Sequence, residues 1–339
     1  MDDTACALST ADSPAGTLTF NVINTGAKVT DFYFYSAADH VMGEVENVGP
    51  GLTRQLVVEV PDGGIYTTVC KPEDGGDGIR APFTVTGSAA RSVDMNAKLA
   101  EATAGYKRYV TAQVAALAPK TREFVDAVKA GDVERAKALY PLMRTHWERI
   151  EPICESFDDI DSRMDGREDD EREPGVAFTG FHRLEKDLWA DGLRPDSPAV
   201  GDRLVADAND LQSRLPSVEL TPVQLANGAK ELLDEVAIVK LAGEEERYSH
   251  TDLWDIAANV AGSRALVAAL RPAINDKDPR LALLLDEQFG DMDRVLEGQR
   301  MGEGFRSYTE LSPYDIKKMA ITVDALNSSV RKVAQTVAS

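Results

Sequence analysis

Long apolar runs are missing from this chain of 339 residues: nowhere does it present the roughly eighteen consecutive apolar side chains that a bilayer-spanning helix needs. Histidine and cysteine are scarce, at four and three residues, so any imidazole or thiolate chemistry rests on individual side chains. The HExxH pattern is absent, and neither His146 nor His182 comes with the second helical histidine and general base of a zincin-type protease. No P-loop and no GxGxxG fingerprint occur, which argues against nucleotide cofactors. Positive charge is in deficit, with 37 basic against 57 acidic residues and a net charge of −20. A nucleic-acid backbone is repelled by such a surface, whereas cations, metal ions included, are drawn to it.

What is present divides into two regions of different period, and the length suffices for two cores. The first region reads as strands. Thr17–Val22, Asp31–Tyr35, Gln55–Val60 and Tyr66–Val69 are β-branched or aromatic runs. Gly49-Pro50-Gly51, Asp62-Gly63-Gly64 and the run from Asp74 to Gly78 supply turn residues between them, predicting an all-β sandwich over residues 1–88. Cys6 and Cys70 both fall in this region, and a Cys6–Cys70 disulfide, implying an oxidising compartment, is favoured over two free thiols; spacing alone does not establish connectivity. Met1-Asp2-Asp3-Thr4-Ala5-Cys6 lacks the basic and apolar segments of an export signal.

Residues 89–96 read as a linker, and from 97 to 339 the period is helical. Thr221-Pro222, Asp278-Pro279 and Ser312-Pro313 each place a capping side chain before a proline, the signature of a helix start. Val133, Ala136, Tyr140, Met143, Trp147, Ile150 and Cys154 recur by three and four, as do Ile316, Met319, Val323, Leu326, Val330 and Val333, giving buried seams. Seven or eight helices are expected, packed as an all-α bundle, two fused four-helix bundles being the expected form. Cys154, on a seam, is expected to be a small core residue.

Three segments carry candidate chemistry. In the segment from Arg144 to Glu155, Glu148, Glu151 and Glu155 stack along one strip beside the apolar seam, where carboxylates need arginine partners or a cation. In Thr179 to Trp189, His182 and Glu185 lie one helical turn apart, half of a metal site that a facing helix could complete. In Tyr248 to Asp255, Ser249 or Thr251 can cap a helix, and Asp252 and Asp255 again lie one turn apart. The competing reading of Asp252 is dipole compensation in a first turn, and that of His182 and Glu185 is a simple hydrogen-bonded pair. The acidic stretch from Asp158 to Glu173 is expected to be a solvated loop; read as a calcium loop from Asp161, it puts Arg163 and Arg172 where oxygens are required.

The segments HWERIEP, GFHRLEKDLW and YSHTDLWDIAANVAG resemble the imelysin-like domain of the EfeO family of iron-uptake components, over roughly residues 95–336. The β region resembles the cupredoxin-like domain that precedes it in longer members. This resemblance implies a non-catalytic carrier, exported from the cytoplasm, that serves a membrane iron permease and a haem-containing peroxidase. The family's proposed metal motif falls on His182 and Glu185, to which the resemblance adds Glu148 or Glu151 and Asp252 or Asp255. Iron is the expected ion, with zinc and copper competing for such ligands. A metallopeptidase of the imelysin type and a partner-docking protein without a true site are the rival readings. The loop after Cys70 offers no histidine, and only His40 and Met42 lie near, so a blue-copper centre is not expected. Glu44, Glu46, Asp74 and Asp77 form a weaker oxygen-rich candidate, with solvated acidic loops as the favoured alternative.

Overall fold

Period-two alternation turns Leu18 and Val22 inward on one strand and Leu56, Val58 and Val60 inward on its neighbour, and these residues form the core of a β-sandwich. The computed structural model of the protein describes residues 1–37, 41–72, 78–89, 93–154, 157–168 and 177–338. Its strands are β1 (Asp12–Pro14), β2 (Gly16–Ile23), β3 (Thr30–Tyr35), β4 (Val41–Val48), β5 (Thr53–Val60), β6 (Asp62–Pro72) and β7 (Ile79–Ser88). One sheet has the order β1-β7-β6-β3-β4, and β2 pairs with β5 in the other. Phe20 from the small sheet meets Phe32, Phe34 and Phe83 from the large one at centroid separations of 5.2, 5.2 and 5.6 Å. Cys6 and Cys70 are joined in a disulfide, as expected from the sequence, which ties the N-terminal segment to β6. His40, Asp74 and Asp77 lie outside the described residues, as does Glu155.

The helical region comprises α1 (Val93–Ala130), α2 (Val133–Glu148), α3 (Glu151–Cys154), α4 (Asp158–Met164), α5 (Gly180–Lys186), α6 (Ser197–Arg214), α7 (Pro222–Ile238), α8 (Asp252–Lys277), α9 (Pro279–Glu297) and α10 (Pro313–Ala338), with a hairpin of β8 (Arg300–Met301) and β9 (Gly304–Phe305) before α10. All three proline starts are realised. Thr221 and Gln224 form a reciprocal capping box, Asp278 accepts from the amides of Arg280 and Leu281, and Ser312 accepts from the amide of Asp315. Thr251 does occupy the cap position of α8, but its side chain makes no capping bond. The predicted seams are buried except at their first members, Val133 and Ile316, which are half-buried, and Cys154 is a buried thiol that forms no disulfide.

Helix α8 is shared by two helical groups, packing with α1 and α2 on one side, where α6 joins through α1, and with α7, α9 and α10 on the other. Its sequence reflects this position. Asp252, Asp255, Asn259 and Ser263, spaced by three and four, form a polar stripe, and every one of them is fully buried. Gly262 lets α8 lie against the end of α2, since a Cβ there would sit 2.4 Å from the Arg149 carbonyl oxygen. The sandwich docks on α7 and α10 through the outer face of β5: Val57 joins the helical core, and Asn227 donates to the Val57 carbonyl at 2.8 Å.

Candidate metal centre

The buried polar stripe of α8 faces acidic side chains from α2, α3, α5 and two loops. Helix α5 begins at Gly180, whose φ of +84° and close approach to the Met164 carbonyl, 2.2 Å from an added Cβ, exclude any side chain. That approach brings the α5 start against the end of α4 and so sets His182 beside Asp165. The imidazole is 3% exposed. Its Nδ1 lies 3.3 Å from Glu185 Oε2, and its Nε2 lies 3.2 Å from Asp165 Oδ1 and 3.5 Å from Glu245 Oε1, close enough for charge pairing but not aligned as hydrogen bonds on the Nε2 side. After α5 the chain makes one π-helical turn, Asp187–Asp191, a distortion frequent beside functional sites.

Glu185 holds the opposite wall in place. Its Oε1 accepts from the amides of Tyr248 and Ser249 at 2.9 and 2.7 Å, pinning the loop that carries Glu245 and Glu246. Glu246 accepts from Arg144 Nε at 3.1 Å and from the Ser249 hydroxyl at 3.0 Å. Two buried cations thread between the acids. Arg144, with no exposed surface, pairs with Glu148 and Asp165 and, at 2.9 and 3.1 Å, with Glu245 and Glu246. Lys240 lies 2.9 Å from Glu148 and 3.2 Å from Glu151, and Asn259 donates to both of those carboxylates.

Three sets of ligand atoms each fall within 4.8 Å of one another: Asp165, His182 and Glu245; His182, Glu185 and Glu246; and Glu148, Glu151 and Asp165. Of the residues singled out from the sequence, His182 and Glu185 therefore share one set and Glu148 and Glu151 another, with Asp165 common to the Glu148 set and to the second set of His182. Asp252 and Asp255 line the same buried region without belonging to these sets. Asp252 accepts from the amide of Glu246 at 3.2 Å, whereas neither oxygen of Asp255 has a hydrogen-bond partner among the described residues.

Carboxylates thus outnumber their permanent counter-cations here: Glu148, Glu151, Asp165, Glu185, Glu245, Glu246, Asp252 and Asp255 face Arg144, Lys240 and Arg167. Their protonation records the imbalance. Burial, together with the charges of Glu246 and Glu148, pushes Asp255 well above the usual carboxylate range. Burial likewise raises Asp252 to about 7 and, with Glu185, raises Glu246 strongly. Asp165 goes the other way, to about 2, because Arg144 and His182 outweigh the effect of burial. For His182 burial opposes the charge, but the carboxylates of Asp165, Glu185 and Glu245 prevail and lift the imidazole well above its ordinary value. Such a pocket favours an added cation, which desolvated anions of this density otherwise obtain from protons.

Two expectations need correction. Residues 158–164 form α4, and Asp165 just after it, only 10% exposed at its side chain, turns into the centre and so is not part of a solvated loop. Glu44 is not in a solvated loop either; it is buried on β4, raised by burial and by its neighbours Glu46 and Glu231, the latter on α7. Glu46 accepts from the Tyr33 hydroxyl at 2.5 Å. The functional candidates absent from the sequence reading are Asp165, Glu245, Glu246, Arg144 and Lys240. A faint signal existed for Arg144, a lone cation on an apolar seam four residues before Glu148.

A helical bundle with an inward-facing histidine and carboxylate cluster defines the class, and comparison with known proteins agrees. The family model described as imelysin, whose label groups it with peptidases, matches residues 102–333. The iron uptake system component EfeO of Escherichia coli O1:K1 is 38% identical over 329 residues, covering 96% of this chain and 87% of the relative. EfeO of Escherichia coli strain K12 and of Shigella flexneri is 37% identical over the same coverage. The chain belongs to the EfeO-type iron-uptake components that carry an imelysin domain. Its role is in iron uptake, as a component of an uptake system, which is what the relatives' name describes. Among the described residues no helix is long and apolar enough to cross a membrane.

Proposed function

We propose that the protein captures an iron ion as cargo on the His182 centre and delivers it to a membrane permease of the same uptake system. The observation that carries this reading is the convergence of one imidazole with carboxylates from separate segments within 4.8 Å, deep in a bundle and with an excess of negative charge. His182, Glu185 and Glu246 are the first proposed ligands, with Asp165 and Glu245 on the other ring nitrogen. Glu148 and Glu151 flank them, and Asp252 and Asp255 supply further oxygens from α8. A donor set of imidazole and carboxylates without thiolate suits hard to borderline ions, so iron is the expected cargo and zinc and copper are competitors. Capture draws α2, α5 and α8 toward the ion and loosens the hold of Arg144 and Lys240 on the same oxygens; a partner that competes for those oxygens releases it.

The remainder of the proposal follows from this role. The Cys6–Cys70 disulfide supports a location outside the cytoplasm, where such bonds persist. A haem-containing peroxidase is a further expected partner, and catalysis by this chain is not expected. The proposed division is a cupredoxin-like sandwich at 1–88, a linker at 89–96 and a metal-binding helical domain at 97–339. Glu44 and Glu46 are proposed as part of a weaker second site, whose other two candidates, Asp74 and Asp77, lie outside the described residues. Calorimetric titration of the chelator-treated protein with iron and with zinc tests the reading. His182→Ala and Glu185→Ala are each expected to lose most of the affinity, and unchanged affinity in both would overturn it. Metal-dependent cleavage of unfolded casein would instead favour a peptidase.

A further inference from the structure

The face of α8 opposite its polar stripe carries Trp254, Ala257, Ala261, Ala265 and Ala268, again spaced by three and four. These residues floor an open groove of about 780 Å³ between α1 and α2 on one side and α9 with the β8–β9 hairpin on the other. Alanines leave the floor low, and at one end Trp254 packs edge-to-face on Phe305 with centroids 5.5 Å apart. Four basic side chains stand in the walls, although the protein carries a net charge of −20. Lys120 and Arg149 line one side, Arg264 and Arg300 the other, with the acids Asp293 and Glu297; Arg264 is paired with Asp293 at 2.5 Å and Lys120 with Glu123 at 3.5 Å. Arg149 reaches only the Gln113 side-chain oxygen, at 3.4 Å, and has no carboxylate partner among the described residues. The Arg300 guanidinium lies over the Phe305 ring, 4.2 Å from its centroid, and is paired with Glu297 only at 3.4 Å. His146 lines the wall of Lys120 and Arg149, with its Nδ1 2.9 Å from the Gln113 side-chain oxygen.

We propose that this groove binds an organic anion with a flat aromatic body. The volume lies in the range of small-molecule sites, and the lining is mostly apolar with a few charged groups in its walls. An aromatic ring lies over the alanine methyls against Trp254 and Phe305, while its anionic group turns to a guanidinium of the walls, that of Arg149 or that of Arg300. A neutral aromatic of the same shape leaves those guanidinium groups unanswered, and an anion without an aromatic body leaves the apolar floor wet. The groove is formed on the backs of α2 and α8, the two helices that carry Glu148 and Asp255 on their inner faces, so its occupant touches the scaffold of the metal centre without touching a ligand.

The test is calorimetry on the full chain with chelator present, using naphthalene carboxylate as the probe and its uncharged carboxamide as the control. The carboxylate is expected to bind one per protein, to quench Trp254 fluorescence, and to weaken as salt is raised. The carboxamide is expected to bind about tenfold more weakly or worse, and Arg149→Ala with Arg300→Ala to remove that preference. Ala261→Phe, which fills the exposed floor, is expected to block both probes while circular dichroism confirms the fold. Equal binding of carboxylate and carboxamide, or carboxylate binding that persists in Ala261→Phe, would overturn the proposal, as would no saturable binding at all.

Discussion

Acidification should strip metal from the centre, and the size of the effect follows from the surroundings of His182. In the metal-free protein the ring lies within 3.5 Å of the carboxylates of Glu185, Asp165 and Glu245, and its pKa stands well above 6.5 although burial opposes the charge. The ring therefore carries its second proton at neutral pH, and a metal can take a ring nitrogen only by expelling that proton. Below the raised pKa each unit of pH then weakens the apparent affinity about tenfold, or about 1.4 kcal/mol, for the imidazole alone. From pH 7 to pH 5 the loss is about a hundredfold. Protons held by Glu246, Asp255 and, with a pKa of about 7, Asp252 steepen the dependence if those oxygens also ligate. Calorimetry in buffers of different ionisation enthalpy counts the released protons directly. At least one proton per ion is expected at pH 7, and His182→Asn should release one fewer. An affinity constant from pH 5 to pH 7, with no proton released, would refute the reasoning.

Replacing Arg144 by methionine leaves Glu148, Asp165, Glu245 and Glu246 without their shared guanidinium, so the metal-free protein should lose about 3–5 kcal/mol in urea unfolding. Saturating metal should recover much of that loss, and equal destabilisation with and without metal would show that the arginine does not hold the place of a cation. The double substitution Cys6→Ser, Cys70→Ser opens a link across a sequence separation of 64 and should lower the stability of the sandwich by about 4 kcal/mol. Metal affinity at His182 should stay within about twofold in the same protein, since the two lie in different cores.

The parts of the centre that could be read from the sequence are those carried on regular helices. A histidine and a glutamate three apart on α5 and two aspartates three apart on α8 each fix a common face before any coordinates exist. Glu148 ends α2 and Glu151 opens α3, and the two meet each other and Asp165, whereas His182 and Glu185 meet Glu246. Capping chemistry gave the helix starts for a similar reason: Thr221, Asp278 and Ser312 act on amides within three residues. Loops gave no such warrant. Glu245 and Glu246 stand in a run of three acids that reads as a solvated surface, and only the amides gripped by Glu185, a distant residue, turn that run inward. Asp165 was hidden in the same way, because the approach of α5 at Gly180 is a tertiary fact. The buried cations Arg144 and Lys240 answer the need for partners that the glutamate strip implied, but which basic residues supply them depends on the packing of α2 against the loop after α7.

Anomalous diffraction from crystals soaked in iron, recorded on both sides of the iron absorption edge, tests the central claim most directly. The account predicts an iron peak inside the bundle, about 2.0–2.3 Å from a ring nitrogen of His182, with carboxylate oxygens of Glu185 and Glu246 or of Asp165 and Glu245 completing its shell. Iron found only on the sandwich or on surface acids, with His182 still paired to its carboxylates, would contradict it.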